Sequence, residues 1–233
     1  MHNHHLVAFG IILGATVIGC AKETSQIAVD TTASTSVRAA EPTPPQRDSA
    51  TGRLALRTEA QQHFDAAREA LRFKDPKTMA SALRAAATVV HQQTDSAANE
   101  VKAHLNEVAH ELDTLANRAE SGAKLTADRL DRLFARANQA EAERHQRRSV
   151  DALILRDTLR AAEDMLMAVD HLERAARDAR IPLDQPALAV AHSARALGAD
   201  LLDRHAPGQR SIQAVQDSLG REIRQFGMRV RRR

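Results

Sequence analysis

The sequence predicts an all-α protein, an antiparallel up-and-down bundle of about six helices, one or two of them unusually long. Apolar residues recur three and four positions apart through most of the chain, the spacing that stripes one side of an α-helix. Ala, Leu, Arg, Glu and Asp dominate, with no Trp, no Tyr and only 5 Phe in 233 residues. The β-branched residues fall at helical spacing and do not alternate, so strand signals are nearly absent. A chain of this length can bury a continuous core.

The clearest stripe is Val101, Leu105, Val108, Leu112, Leu115 and Ala119. An apolar edge that narrow is not stable in isolation and requires other helices against it. Ahead of it, a first helix is expected over about Leu54–Phe73, with Leu56, Ala60, Phe64, Ala67 and Leu71 facing inward. Lys74-Asp75-Pro76 should break the chain and start the next helix, because Asp75 can accept from the free N–H groups of a first turn and Pro76 suits the first helical position. The second helix is expected from Pro76 to Ser121, carrying Met79, Leu83, Ala86, Val90 and Ala97 before the stripe above. No Gly or Pro interrupts it. Its weak point is Gln92-Gln93-Thr94-Asp95-Ser96, where the stripe lapses and polar side chains can bond to the backbone; a kink there and a straight rod are both compatible with the pattern.

Gly122 should close this helix in the left-handed cap conformation. Thr126 should cap the third, with Leu125 and Leu130 as a hydrophobic staple. That helix carries Leu130, Leu133, Phe134 and Ala137, turns polar from Gln139 to Ser149, and regains apolar character at Val150, Leu153, Ile154 and Leu155. A turn at Arg156-Asp157 leads to a fourth helix (about Thr158–Arg180) burying Leu159, Ala162, Leu166, Val169 and Leu172. The prolines of Ile181–Pro186 oppose helix continuation. A fifth helix (about Ala187–His205) follows, then a turn at Pro207-Gly208 and a sixth helix with Ile212, Val215, Leu219, Ile223, Phe226 and Val230. Short connections make neighbouring helices antiparallel. Leu83-Arg84-Ala85-Ala86 echoes Leu159-Arg160-Ala161-Ala162, as duplication of a helical hairpin would leave it.

The N-terminal region is different in kind. Residues 6–19, LVAFGIILGATVIG, form an apolar run of signal-peptide length, short for a bilayer span. It ends in Val17-Ile18-Gly19-Cys20, which resembles the bacterial lipoprotein lipobox, although Met1–His5 contains no Lys or Arg. The resemblance implies lipidation of the Cys20 sulfur, cleavage after Gly19 and acylation of the new amino terminus. Several acyl chains hold a protein to a membrane far more firmly than one. With Ala21, not Asp, after Cys20, the sorting pattern of a Gram-negative host implies the periplasmic face of the outer membrane. Residues 21–52, rich in Thr, Ser, Ala and Pro, read as a tether averaging roughly 30 Å end to end. The expected organisation is thus a signal peptide (1–19), lipidated Cys20 and tether (20–52), bundle (53–228) and basic tail (229–233). The single cysteine excludes an intramolecular disulfide.

Few constellations point to chemistry. His104, Glu107 and His110 include the Glu-x-x-His spacing of di-iron bundles, but Glu107 and His110 fall opposite the apolar stripe and no second pair accompanies them, so a solvated helix face is expected. No His-x-x-x-His pair on one helix invites zinc, and no Gly-rich phosphate loop or Gly-x-Ser-x-Gly elbow occurs. No cofactor or metal is expected, and no catalysis. The net charge of +3 gives no strong global field. Arg229, Arg231, Arg232 and Arg233 are candidates for contact with anionic lipid or lipopolysaccharide; the expected compartment argues against nucleic acid. The expected function is noncatalytic, binding a protein partner or a second copy through helix faces, with a small-ligand or metal-binding bundle as the alternative. The polar, Ala-lined middle of the third helix (Ala137, Ala140, Ala142, with Arg144 and Arg148 beside them) is the expected docking surface.

Overall fold

The computed structural model describes residues 59–232, apart from residue 96 and residues 204–207. The lipobox and Cys20, the tether, Leu54 and Leu56, and Arg233 lie outside the described residues. Among the described residues there are seven helices and no strand: α1 (Glu59–Arg72), α2 (Pro76–Thr94), α3 (Asn99–Glu120), α4 (Ala127–Ile154), α5 (Thr158–Ala179), α6 (Gln185–Leu202) and α7 (Gln209–Arg231). The molecule is a bundle of packed helices, and no described helix is long and apolar enough to cross a membrane.

The helix starts follow the capping chemistry of the sequence. Asp75 accepts from the N–H groups of Lys77 and Thr78, each at 3.1 Å, with Pro76 in the first turn. Thr126, Asp157 and Asp184 cap α4, α5 and α6 in the same way. Gly122 closes the α3 end at φ +78°, a conformation glycine adopts without the Cβ clash.

The expected helix from Pro76 to Ser121 is two helices. It ends at Thr94, whose hydroxyl turns back to the His91 carbonyl at 2.7 Å, and restarts at Asn99 after Ala98 adopts an extended backbone. The chain reverses there, so that α3 lies antiparallel to α2 and Arg84 meets Asn117 and Glu120. The physical reason is burial: folding back covers Leu83, Ala86 and Val90 with the stripe Val101–Ala119, every member of which is buried. Each such Leu or Val contributes about 1.5–3 kcal/mol when removed from water. This break raises the helix number to seven.

Two apolar cores result, and α4 belongs to both. One joins α1, α2 and α3 to Leu130, Leu133, Phe134, Ala137 and Ala140; Phe64 and Phe134 stack there at 4.3 Å. The other joins α5, α6 and α7 to Ala135 and Ala142. Residue pairs across the α4 interfaces run in opposite directions: His104 with Glu143 and Glu107 with Arg136 for α3 and α4, Asn138 with His171 and Ser149 with Ala161 for α4 and α5, Gln146 with Gln216 and Gln139 with Gly227 for α4 and α7.

The middle of α4 is therefore interior. Ala137, Ala140, Ala142 and Arg144 are buried, and helices of the same chain occupy the face expected to dock a partner. Small side chains there let neighbouring helices approach closely, so the docking chemistry is real but internal. Leu159 differs in the opposite sense: expected inside, it is 56% exposed, beside Ile154 at 74% and Leu155 at 79%. Leu83, its counterpart in the Leu-Arg-Ala-Ala echo, is fully buried, so the two copies do not occupy equivalent places.

Candidate functional site, a sealed polar layer on α4

Where α4 passes between the two cores it presents polar side chains in place of apolar ones. Asn138, Gln139, Glu141, Glu143, Arg144, His145, Gln146 and Ser149 are all buried. Desolvated polar groups cost free energy unless partnered; Asn138, Glu143, His145, Gln146 and Ser149 are partnered across helices and Arg144 with Glu141 within α4. Ser149 donates to the Ala161 carbonyl at 2.6 Å and accepts from Gln216 of α7 at 2.6 Å. Arg144 donates to Glu141 Oε2 at 2.8 and 3.1 Å. Glu141 also faces Gln93 of α2, whose amide nitrogen donates to it when turned toward the carboxylate.

The two histidines of this layer have defined tautomers. His145 Nδ1 lies 2.7 Å from Asp164 Oδ1 on α5. Burial raises the Asp164 carboxyl, but the His145 hydrogen bond and the charges of Arg148 and Arg144 outweigh it, leaving the group below its ordinary range and ionised. A carboxylate only accepts, so Nδ1 carries the proton. Arg144 Nη2 sits 3.0 Å from His145 Nε2, and a guanidinium only donates, so Nε2 offers its lone pair.

His171 on α5 repeats the pattern. The Asn138 amide nitrogen donates to Asp178 at 2.9 Å, which directs its oxygen to His171 Nδ1, also at 2.9 Å. Nδ1 again carries the proton and Nε2 the lone pair. Burial, then the guanidinium charges of Arg174 and Arg144, hold the His171 imidazole well below its ordinary pKa, so it is neutral. The two rings are nearly parallel, 12° apart in plane, with centroids 5.5 Å apart. One oxygen of Glu141 and one nitrogen from each of His145 and His171 lie within 4.8 Å of one another.

The residues singled out in the sequence do not gather here. His104 turns to Glu143 at 3.1 Å and lies 3.3 Å from Arg231; Glu107 pairs with Arg136 at 2.8 Å; His110 is exposed. Arg229 pairs with Asp184 at 3.1 Å and stacks over Phe226, while Arg231 and Arg232 are exposed. The sequence signal that was available for the polar layer is the i, i+4 spacing of Glu141 and His145, which places both on one helical face. Nothing in the linear pattern pairs them with His171.

No protein-family model, curated protein or solved structure matches this chain.

Proposed function

We propose that this protein is a lipid-anchored helical module of the cell envelope that acts through protein contact and not through catalysis. The observation that carries the noncatalytic reading is the closure of the polar layer. The carboxylates and imidazole of Glu141, Asp164 and His145 that a reaction would use have side chains only 4–9% exposed, and Arg144 fills the space between two of them. Burial of this degree argues against an organic substrate reaching them. The anchored reading rests on the lipobox resemblance at Val17-Ile18-Gly19-Cys20, and Ala21 directs it to the outer membrane of a Gram-negative host.

With the Ala-lined face of α4 interior, the contact surface moves to the α4–α5 turn. Ile154, Leu155 and Leu159 stand exposed within six residues, bordered by the exposed Arg156 and Arg160. Clustered exposed aliphatic side chains with a charged rim characterise protein contact sites. The partner that fits is a protein presenting an apolar patch edged with carboxylates. Arg231 and Arg232 remain available for anionic headgroups beside it.

Membrane fractionation with acyl-chain labelling tests the anchor: the wild type labels and sediments with membranes, and Cys20→Ala does neither. A photo-crosslinker placed at Leu155 of the anchored protein in cells should give a discrete adduct that Ile154→Asp abolishes. An unlabelled, soluble wild type, or an adduct indifferent to that substitution, refutes the reading.

A further inference from the structure

We propose that Glu141, His145 and His171 form a binding site for a divalent transition-metal ion, zinc above all, and that the Arg144 guanidinium holds the cation position until the ion displaces it. The donor set is right for such an ion. One carboxylate and two imidazoles suit zinc and its first-row neighbours, and the ligands come from two helices packed rigidly together.

The surrounding hydrogen bonds argue more strongly than the ligand count. A metal-bound histidine characteristically donates its other ring N–H to a carboxylate or carbonyl, fixing the tautomer and the ring orientation. His145 does this to Asp164, and His171 does it to the Asn138 amide oxygen. Asn138 is itself oriented by Asp178, a further shell of support. Both rings are thereby set with an unprotonated Nε2. His171 is 1% exposed, and its Nε2 meets no hydrogen-bond donor among the described residues. A buried lone pair left without a donor is costly, and a metal ion satisfies it.

Arg144 explains how the site is stable without the ion. Its Nη2 atom contacts Glu141 Oε2 at 2.8 Å and His145 Nε2 at 3.0 Å, thus bridging two of the three ligand atoms, themselves 3.9 Å apart. A guanidinium there supplies one positive charge where a metal would supply two. Glu141 supplies a negative charge to the ion once Arg144 has withdrawn, while Asp164, itself held by Arg148 and by Arg160 at 3.9 Å, acts by fixing the His145 ring. Arg174, the other cation near His171, is balanced by Asp170 at 2.6 Å, and Arg148 lies 3.3 Å from Asp164. The arrangement makes Arg144 a built-in competitor that lowers metal affinity and couples loading to a side-chain exchange in the core.

The experiment uses the full-length protein extracted from membranes in detergent and stripped with a chelator. Zinc binding is measured by calorimetry, and cobalt(II) replaces zinc for visible d–d spectra. One equivalent should bind. His171→Gln and Glu141→Gln should each weaken binding by at least about tenfold, and Asp164→Asn by about tenfold through His145. Arg144→Met, which keeps the volume and removes the competing charge, should strengthen binding by about tenfold. His104→Gln with His110→Gln should leave it unchanged. Circular dichroism of each variant reports folding independently. Equal binding by the wild type and His171→Gln, or no binding by the wild type and Arg144→Met alike, overturns the site. Equal affinity of the wild type and Arg144→Met overturns the role of Arg144.

Discussion

Arg68 of α1 and Asp178 of α5 meet at 2.6 Å, across 110 residues of sequence. The same guanidinium reaches Asp131 at 3.0 Å and Asp65 at 3.3 Å and lies 4.7 Å over the Phe134 ring. Burial pushes the Asp178 carboxyl above its ordinary 3.8, and Arg68 and Asn138 hold it partly down. Arg68→Met should therefore destabilise the fold by about 2 kcal/mol, since it leaves the poorly solvated Asp178 without its cation and Asp131 with Arg180 alone. The sign of the pH effect follows. A carboxyl raised in the folded state binds an extra proton there, so stability is gained below its folded pKa and lost as pH rises through it. Urea unfolding should show the deficit of Arg68→Met shrinking as pH is lowered from 7 toward 4.

Gly198 of α6 sits under Leu166 of α5. A Cβ at that position would lie 2.9 Å from Leu166 Cγ, a branch point that cannot swing aside freely. Gly198→Val should cost about 1–3 kcal/mol by overpacking. For Gly198→Ala, the gain in helix propensity of about 1 kcal/mol opposes a milder clash, so thermal melting should place it between the wild type and the valine variant.

Leu112 and Leu155 separate structural from contact residues. Leu112 is fully buried in the first core, and Leu112→Ala should cost about 3 kcal/mol. Leu155 is 79% exposed, and Leu155→Ser should change stability by less than about 0.5 kcal/mol. Equal losses in denaturant midpoint would contradict the placement of the α4–α5 turn at the surface.

Asp75 offers an acid-sensitive cap. The Thr78 hydroxyl and backbone N–H hold its carboxyl below 3.8. A depressed carboxyl stabilises the folded state above its unfolded pKa and stops doing so as pH falls through the folded value. Asp75→Ala should lower the melting temperature at pH 7, and the gap to the wild type should narrow below about pH 3.8.

Much of the fold was legible because local chemistry and burial agree. The stripe Val101–Ala119 is buried throughout, and Asp75, Gly122 and Thr126 act where their side chains or backbone freedom predict. The reversal between Thr94 and Asn99 showed only as a lapse in the stripe, because neither Gly nor Pro marks it. Its cause is tertiary, the need of two apolar faces for each other. The polar layer was illegible for a related reason. A run such as Gln139–Ser149 reads as solvent-facing when each residue is judged alone, yet here Glu143, His145, Gln146 and Ser149 find partners on other helices and Arg144 meets Glu141 within α4. Buried and exposed polarity have the same composition and differ only in neighbours. Ile154, Leu155 and Leu159 mislead in the opposite way: apolar type predicts burial, and their place at a helix turn keeps them outside.

Because both cores lean on Ala127–Ile154, neither half can melt while the other survives. Heat or urea should meet one all-or-none transition, and a protease that nicks this central rod should dissolve the entire assembly at a stroke.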